Sequence, residues 1–147
     1  MASLRQFAAR MRELGRRVET NSPRLVRRTA LAIDQAVVLG TPVDTGTARS
    51  NWQVEIGGPV TETREAAVPG QGGSSAAANA QAAIEQGREV IDTYRGEGQE
   101  IYISNPLPYI GRLNDGSSAQ APAGFVEQSV QTGVDVVTRA RLLEEDR

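Results

Sequence analysis

Few residues in this 147-residue chain are of a type and spacing that could do chemistry. The carboxylates come in pairs, Asp44 with Glu55 and Glu97 with Glu100, and a matched pair with split pKa values can serve as acid and base. That requires one member to be buried and an oxyanion or metal partner to be near, and nothing around either pair signals this. The glycine-rich run Gly70-Gln71-Gly72-Gly73-Ser74-Ser75 has the composition of a phosphate loop. It lacks the lysine and the preceding apolar strand that such a loop uses, so it reads as a flexible connection. The chain has no Cys, no His and no Lys. Thiol and imidazole catalysis, Schiff bases, disulfides and the usual Cys/His zinc sites are excluded with them. The expectation is a binding or structural protein, not an enzyme, with no cofactor.

Every basic side chain is arginine, and the charge is unevenly spread. Residues 1–28 carry a balance of +6 and the remaining residues −8, for a net of −2. A chain polarised in this way attracts anions at one end or pairs head to tail with copies of itself. Arginine suits protein interfaces, because its planar fork grips carboxylates in pairs of hydrogen bonds. No segment is apolar enough to suggest a membrane-spanning helix, and the longest uncharged run, 66–84, is broken by Pro69 and several polar residues.

The elements that would position these residues follow from periodicity. Ser3 with Gln6 forms a capping box. Leu4, Phe7, Met11, Leu14 and Val18 then recur at helical spacing, with Arg5, Arg12 and Arg16 elsewhere on the cylinder as a candidate inter-subunit basic face. Ser22-Pro23 restarts a helix that runs to Gly40, so two helices or one bent helix occupy residues 4–39. Trp52, Val54 and Ile56 alternate with polar residues as a half-buried strand, and 60–68 is a second strand or an extended arm. Residues 70–94 read as a Gly/Ala-rich loop and then a helix. Ile101-Tyr102-Ile103 is a short strand, and two prolines at 106 and 108 favour extended backbone through 107–110. A last helix runs over 122–143 from Pro122, weakened by Gly133 and its valines. The fold expected is α+β in a single domain. A small, mostly antiparallel sheet from residues 49–68 and 100–118 packs on a long N-terminal helical segment and a C-terminal helix.

Two segments carry more information than their composition requires. One is Thr41-Pro-Val-Asp-Thr-Gly-Thr-Ala-Arg-Ser-Asn-Trp52. The other runs from Asn105-Pro-Leu-Pro-Tyr-Ile-Gly-Arg-Leu-Asn-Asp-Gly-Ser-Ser to Gln120-Ala-Pro-Ala-Gly-Phe125. Gly46 and Gly116 suit turns with positive φ, and Pro42 and Pro108 stiffen the chain into them. Asp44 or Thr45 can bond nearby amides and brace the reversal from helix to strand. Trp52 packs the strand on the helices and needs a partner for its indole N–H. Arg49 and Arg112 are candidates for bidentate pairing with carboxylates. For each, a part in making the fold and a direct contact with a partner are both open.

In these segments the chain resembles the neck and tail-completion family of tailed bacteriophages, small proteins at or near the head–tail junction. The pattern is a long N-terminal helix, then "TPVDTG…R…NW", a strand, and an "N…PYI..LNDGSS.QAPAGFV" signature leading into a C-terminal helix. The resemblance marks Pro42, Asp44, Thr45, Gly46, Arg49, Trp52, Pro108, Tyr109, Arg112, Asp115, Gly116, Gln120, Pro122 and Phe125 as fold or interface residues. It implies a structural virion protein, made in the bacterial cytoplasm, that forms a ring, completes the tail and joins it to the head. Its partners would be copies of itself, head-side connector or portal-adaptor proteins, and tail tube or terminator proteins, with passing contact to genomic DNA and none to membrane. A tail terminator or other minor tail protein is the alternative in the same class. From another class, the Arg-rich N-terminal helix could serve a nucleic-acid-binding protein.

Overall fold

The computed structural model describes residues 4–43 and 46–145, with side chains described except at 17–21 and 141–145. In chain order the elements are α1 (Leu4–Gly40), α2 (Thr47–Ser50), β1 (Gln53–Ile56), α3 (Ala76–Ile91), β2 (Ile101–Ser104), α4 (Ile110–Asn114) and α5 (Phe125–Glu145). The fold is α+β, with helices packed around one two-stranded antiparallel sheet.

α1 is a single helix of 37 residues, about 55 Å long, and Pro23 lies inside it. Ser22 therefore does not restart a second helix. The proline ring sits against Gly96, whose φ of +88° only glycine adopts easily and whose missing side chain leaves room for it. One turn on, Arg27 donates to the Tyr94 carbonyl at 2.7 Å and ties α1 to the segment after α3. Ser3 of the expected capping box lies outside the described residues.

α5 runs back along α1. A side chain at Gly133 would run into the backbone of Ile33, and one at Gly40 would press on Ser129. Glycine at 133 weakens α5 as an isolated helix, yet it permits this close crossing. α5 begins at Phe125, three residues after Pro122.

α3 buries Asn79, Ala80, Ala83, Gly87 and Ile91 at helical spacing. The small residues bring it close to Val37, Val38 and Trp52, which form one half of the core. Ala30, Val54 and Ile91 form the other, against Ile101 and Ile103.

The sheet is smaller than expected. β1 pairs with β2 in the register Val54 with Ile103 and Glu55 with Tyr102, and among the described residues these four-residue strands are all of it. Residues 60–68 are an extended arm, without ladder bonds to either strand. Residues 107–110 are not extended either. Pro106 and Pro108 precede the N-terminus of α4 at Ile110, a place where proline costs a helix nothing. Among the described residues, no helix is long and apolar enough to cross a membrane.

Candidate functional site: the junction of the two motif segments

α1 ends with carbonyls that have no partner within the helix. Arg49, from α2, meets that need. Its Nη2 donates to the Leu39 carbonyl at 3.0 Å and its Nε to the Thr41 carbonyl at 3.2 Å. Its Nη1 donates to the Ala76 carbonyl at 3.2 Å, so one guanidinium joins the end of α1 to the start of α3. Partial burial lowers the Arg49 pKa from its ordinary value. Among the described residues no carboxylate pairs with Arg49, whose fork is taken up by backbone carbonyls.

Thr41 is the hub beside it. Its hydroxyl donates to the Val37 carbonyl at 2.6 Å and accepts the Trp52 indole N–H at 2.7 Å. Trp52 is buried just before β1, packed on α1 and α3 as expected. Gly46 precedes α2 with φ +88°, and the Asn79 amide occupies the place a side chain there would need. Asp44 and Thr45 lie outside the described residues.

The arm at 60–68 is held by side-chain amides that substitute for a neighbouring strand. Asn51 Oδ1 accepts the Arg64 N–H at 2.8 Å, and its Nδ2 donates to the Arg64 carbonyl at 2.7 Å. Asn79 does the same for Val68, and Ser50 Oγ accepts from Ala67. On the other side, Gln86 accepts from the Val54 N–H at 3.3 Å and donates to its carbonyl at 3.1 Å, closing the free edge of β1. Such caps matter because open strand edges invite pairing with other chains.

The second motif segment comes to the same place. Asn105 donates to the Ala48 carbonyl at 2.9 Å. Gln120 Oε1 accepts the Val43 N–H at 2.9 Å, a direct bond between the two segments. Between them lies a cleft of about 150 Å³, lined by Pro42, Gly46, Tyr109 and Gln120 among others. Partial burial raises the Tyr109 pKa. Gly116 ends α4 with φ +93°, packed against Ala123. Asn114 then caps α5, its Oδ1 accepting the Val126 N–H at 2.9 Å and its Nδ2 donating to Glu127. That donation lowers the Glu127 pKa. Phe125 is buried near Gly40. Pro108, Arg112, Asp115 and Pro122 point to solvent, and Arg112 has no ion pair among the described residues. The junction thus locks the C-terminus of α1, the N-termini of α3 and α5, and the sheet into one unit.

The N-terminal part of α1 contrasts with this. Leu4, Phe7, Met11 and Leu14 are 88%, 60%, 50% and 53% exposed. Arg5, Arg12 and Arg16 are exposed beside them, with Arg16 3.5 Å from Glu13.

The amide clamps Asn51, Asn79 and Gln86 were not anticipated from sequence. The available signal was polar amides at buried positions, Asn79 inside an alanine run above all. Asp34 is a second surprise. Its side chain is fully buried beside Gly87, and neither carboxyl oxygen has a hydrogen-bond partner among the described residues. Burial pushes its pKa from 3.8 up to about 7. Among the described residues, no cluster of three or more potential ligands could hold a metal ion. No family model, curated protein or solved structure matches this chain.

Proposed function

We propose that this chain is a structural virion protein of a tailed phage, forming a ring at the neck or tail end that completes the tail and joins it to the head. The observation that carries the proposal is the exposed first third of α1. It presents four large apolar side chains and four arginines at 5, 10, 12 and 16 to solvent, while the rest of the chain is acidic. A lone soluble domain gains nothing from such a surface, whereas a subunit of an assembly buries it. The two motif segments support the reading from another side, since several residues that carry the resemblance to neck and tail-completion proteins, among them Pro42, Gly46, Tyr109 and Gln120, line one cleft. The partners proposed are further copies of the chain, a connector on the head side and tube or terminator proteins on the tail side.

The test is a nonsense mutation at the Trp52 codon of the parent virus, followed by negative-stain microscopy of the lysate. DNA-filled heads lying apart from tails are expected, with normal tail length for a joining protein and overlong tails for a terminator. Normal particles would overturn the proposal. The exposed arginines favour one competing reading, a nucleic-acid-binding protein, which predicts tight binding to duplex DNA that weakens steeply with salt.

A further inference from the structure

The apolar face of the α1 arm belongs to a stripe that α5 covers only in part. Leu4 and Gly40 are 36 residues apart, ten turns at 3.6 residues each, so they lie on one line along the helix. Phe7, Met11 and Leu14 fall within about a quarter turn of that line. At the other end this side carries Ile33 and Gly40, where Gly133, Ser129 and Phe125 of α5 sit. Counting back from the Gly133–Ile33 crossing, α5 ends opposite about residue 21 of α1. Beyond that end the stripe is uncovered from Leu14 to Leu4, about 15 Å along the helix.

We infer that the uncovered stripe is filled by a second copy of this chain, through the outer flank of its α5 at Val130 and Val134. This rests on the ring reading above and names the contact that would build the ring. Three observations select the occupant. The stripe is continuous with the α1–α5 interface, so a helix of the α5 type fits a surface already shaped for one. Val130 and Val134 are 40% and 38% exposed, one turn apart, with Glu127 one turn before them. Charge decides against the other faces. The arm carries four arginines against Glu13 over residues 4–16, so arm against arm repels. The apolar groove along α3, at Leu39, Ala80 and Ile84, is rimmed by Arg49 and Arg88 against a single Glu85. α5 carries four carboxylates against two arginines over 125–145 and is the acidic choice. Each subunit then gives an arm forward and receives one from behind, a heterologous contact of the kind that closes rings. The four side chains alone fall short of the roughly 800 Å² per partner of a stable dimer, so the contact counts by repetition around a ring.

The test uses the full chain with benzoylphenylalanine in place of Phe7, prepared as an equal mixture of light and heavy-isotope protein and irradiated at assembly concentration. The expected product is a mixed light–heavy adduct whose crosslinked peptide contains Val130 and Val134. Val130→Asp together with Val134→Asp should reduce its yield at least tenfold while leaving the circular dichroism spectrum unchanged. Adducts within one chain, or to another part of the second chain, overturn the inference and leave the ring reading standing. A chain without adducts also overturns it, and the ring reading is then judged separately by the composition of virus particles.

Discussion

The side-chain amide of Asn79 takes up both backbone hydrogen-bonding groups of Val68, accepting its N–H and donating to its carbonyl, each at 2.8 Å. The same amide bonds Ser50 and Ser75, so a single buried residue of α3 connects α2, the loop before α3 and the extended arm at 60–68. This is how the fold manages a segment that pairs with no strand.

Replacing Asn79 by Ala strands the Val68 N–H and carbonyl and removes the partner of Ser50. A loss of about 3 kcal/mol in urea unfolding is expected, since each orphaned buried group costs on the order of 1–3 kcal/mol. Hydrogen exchange should show Val68 losing protection before the α1–α5 pair does. A loss under about 0.5 kcal/mol would mean the clamp is not what holds the arm.

Thr41→Val keeps shape and removes the acceptor of the Trp52 indole. A cost of about 1–3 kcal/mol is expected, with Thr41→Ser recovering most of it. Trp52 is the one tryptophan of the chain, so its fluorescence reports the site directly. Equal stability of the Val and Ser variants would contradict the hub role.

Asp34 gives a pH signature. Its folded-state pKa of about 7 lies above the ordinary 3.8. Below pH 3.8 the group is protonated in both states and its ionisation costs nothing, and stability falls as pH rises from there through about 7. Asp34→Asn removes the ionisation. The variant should match the parent at low pH and exceed it by about 4 kcal/mol above neutrality. The check is a set of denaturant titrations across that range, and a difference independent of pH would refute the burial argument.

Reversing Arg5, Arg12 and Arg16 to Glu should leave the melting temperature within about 2 °C, because the three are exposed and surface charges contribute little to stability. Assembly should weaken, read as fewer joined particles when the variant is supplied in trans to a nonsense mutant. Undiminished joining would remove the electrostatic part of the account.

The long helices were legible because their apolar positions recur at helical spacing, whereas the short α2 and α4 fall in stretches read as strand or extended backbone. The sheet was overestimated. Residues 60–68 have strand composition, yet Asn51, Ser50 and Asn79 satisfy their backbone without a ladder, and pattern alone cannot distinguish the two. At Pro23 the sequence left two helices or one bent helix open, and α1 runs through it as one helix, with room for the ring opposite Gly96 and the Arg27 tie one turn on. At the junction, the turn glycines Gly46 and Gly116 and the buried Trp52 were readable one residue at a time. The Gln120–Val43 bond was not, because it depends on two segments 77 residues apart meeting in space.

The most direct test of a structural role in the virion is the copy number of the chain in purified, salt-washed particles, by quantitative mass spectrometry against the tail-tube protein. The account predicts a small whole number, constant between preparations, as a single ring requires. Particles free of the chain, or a content that varies with washing, would contradict it.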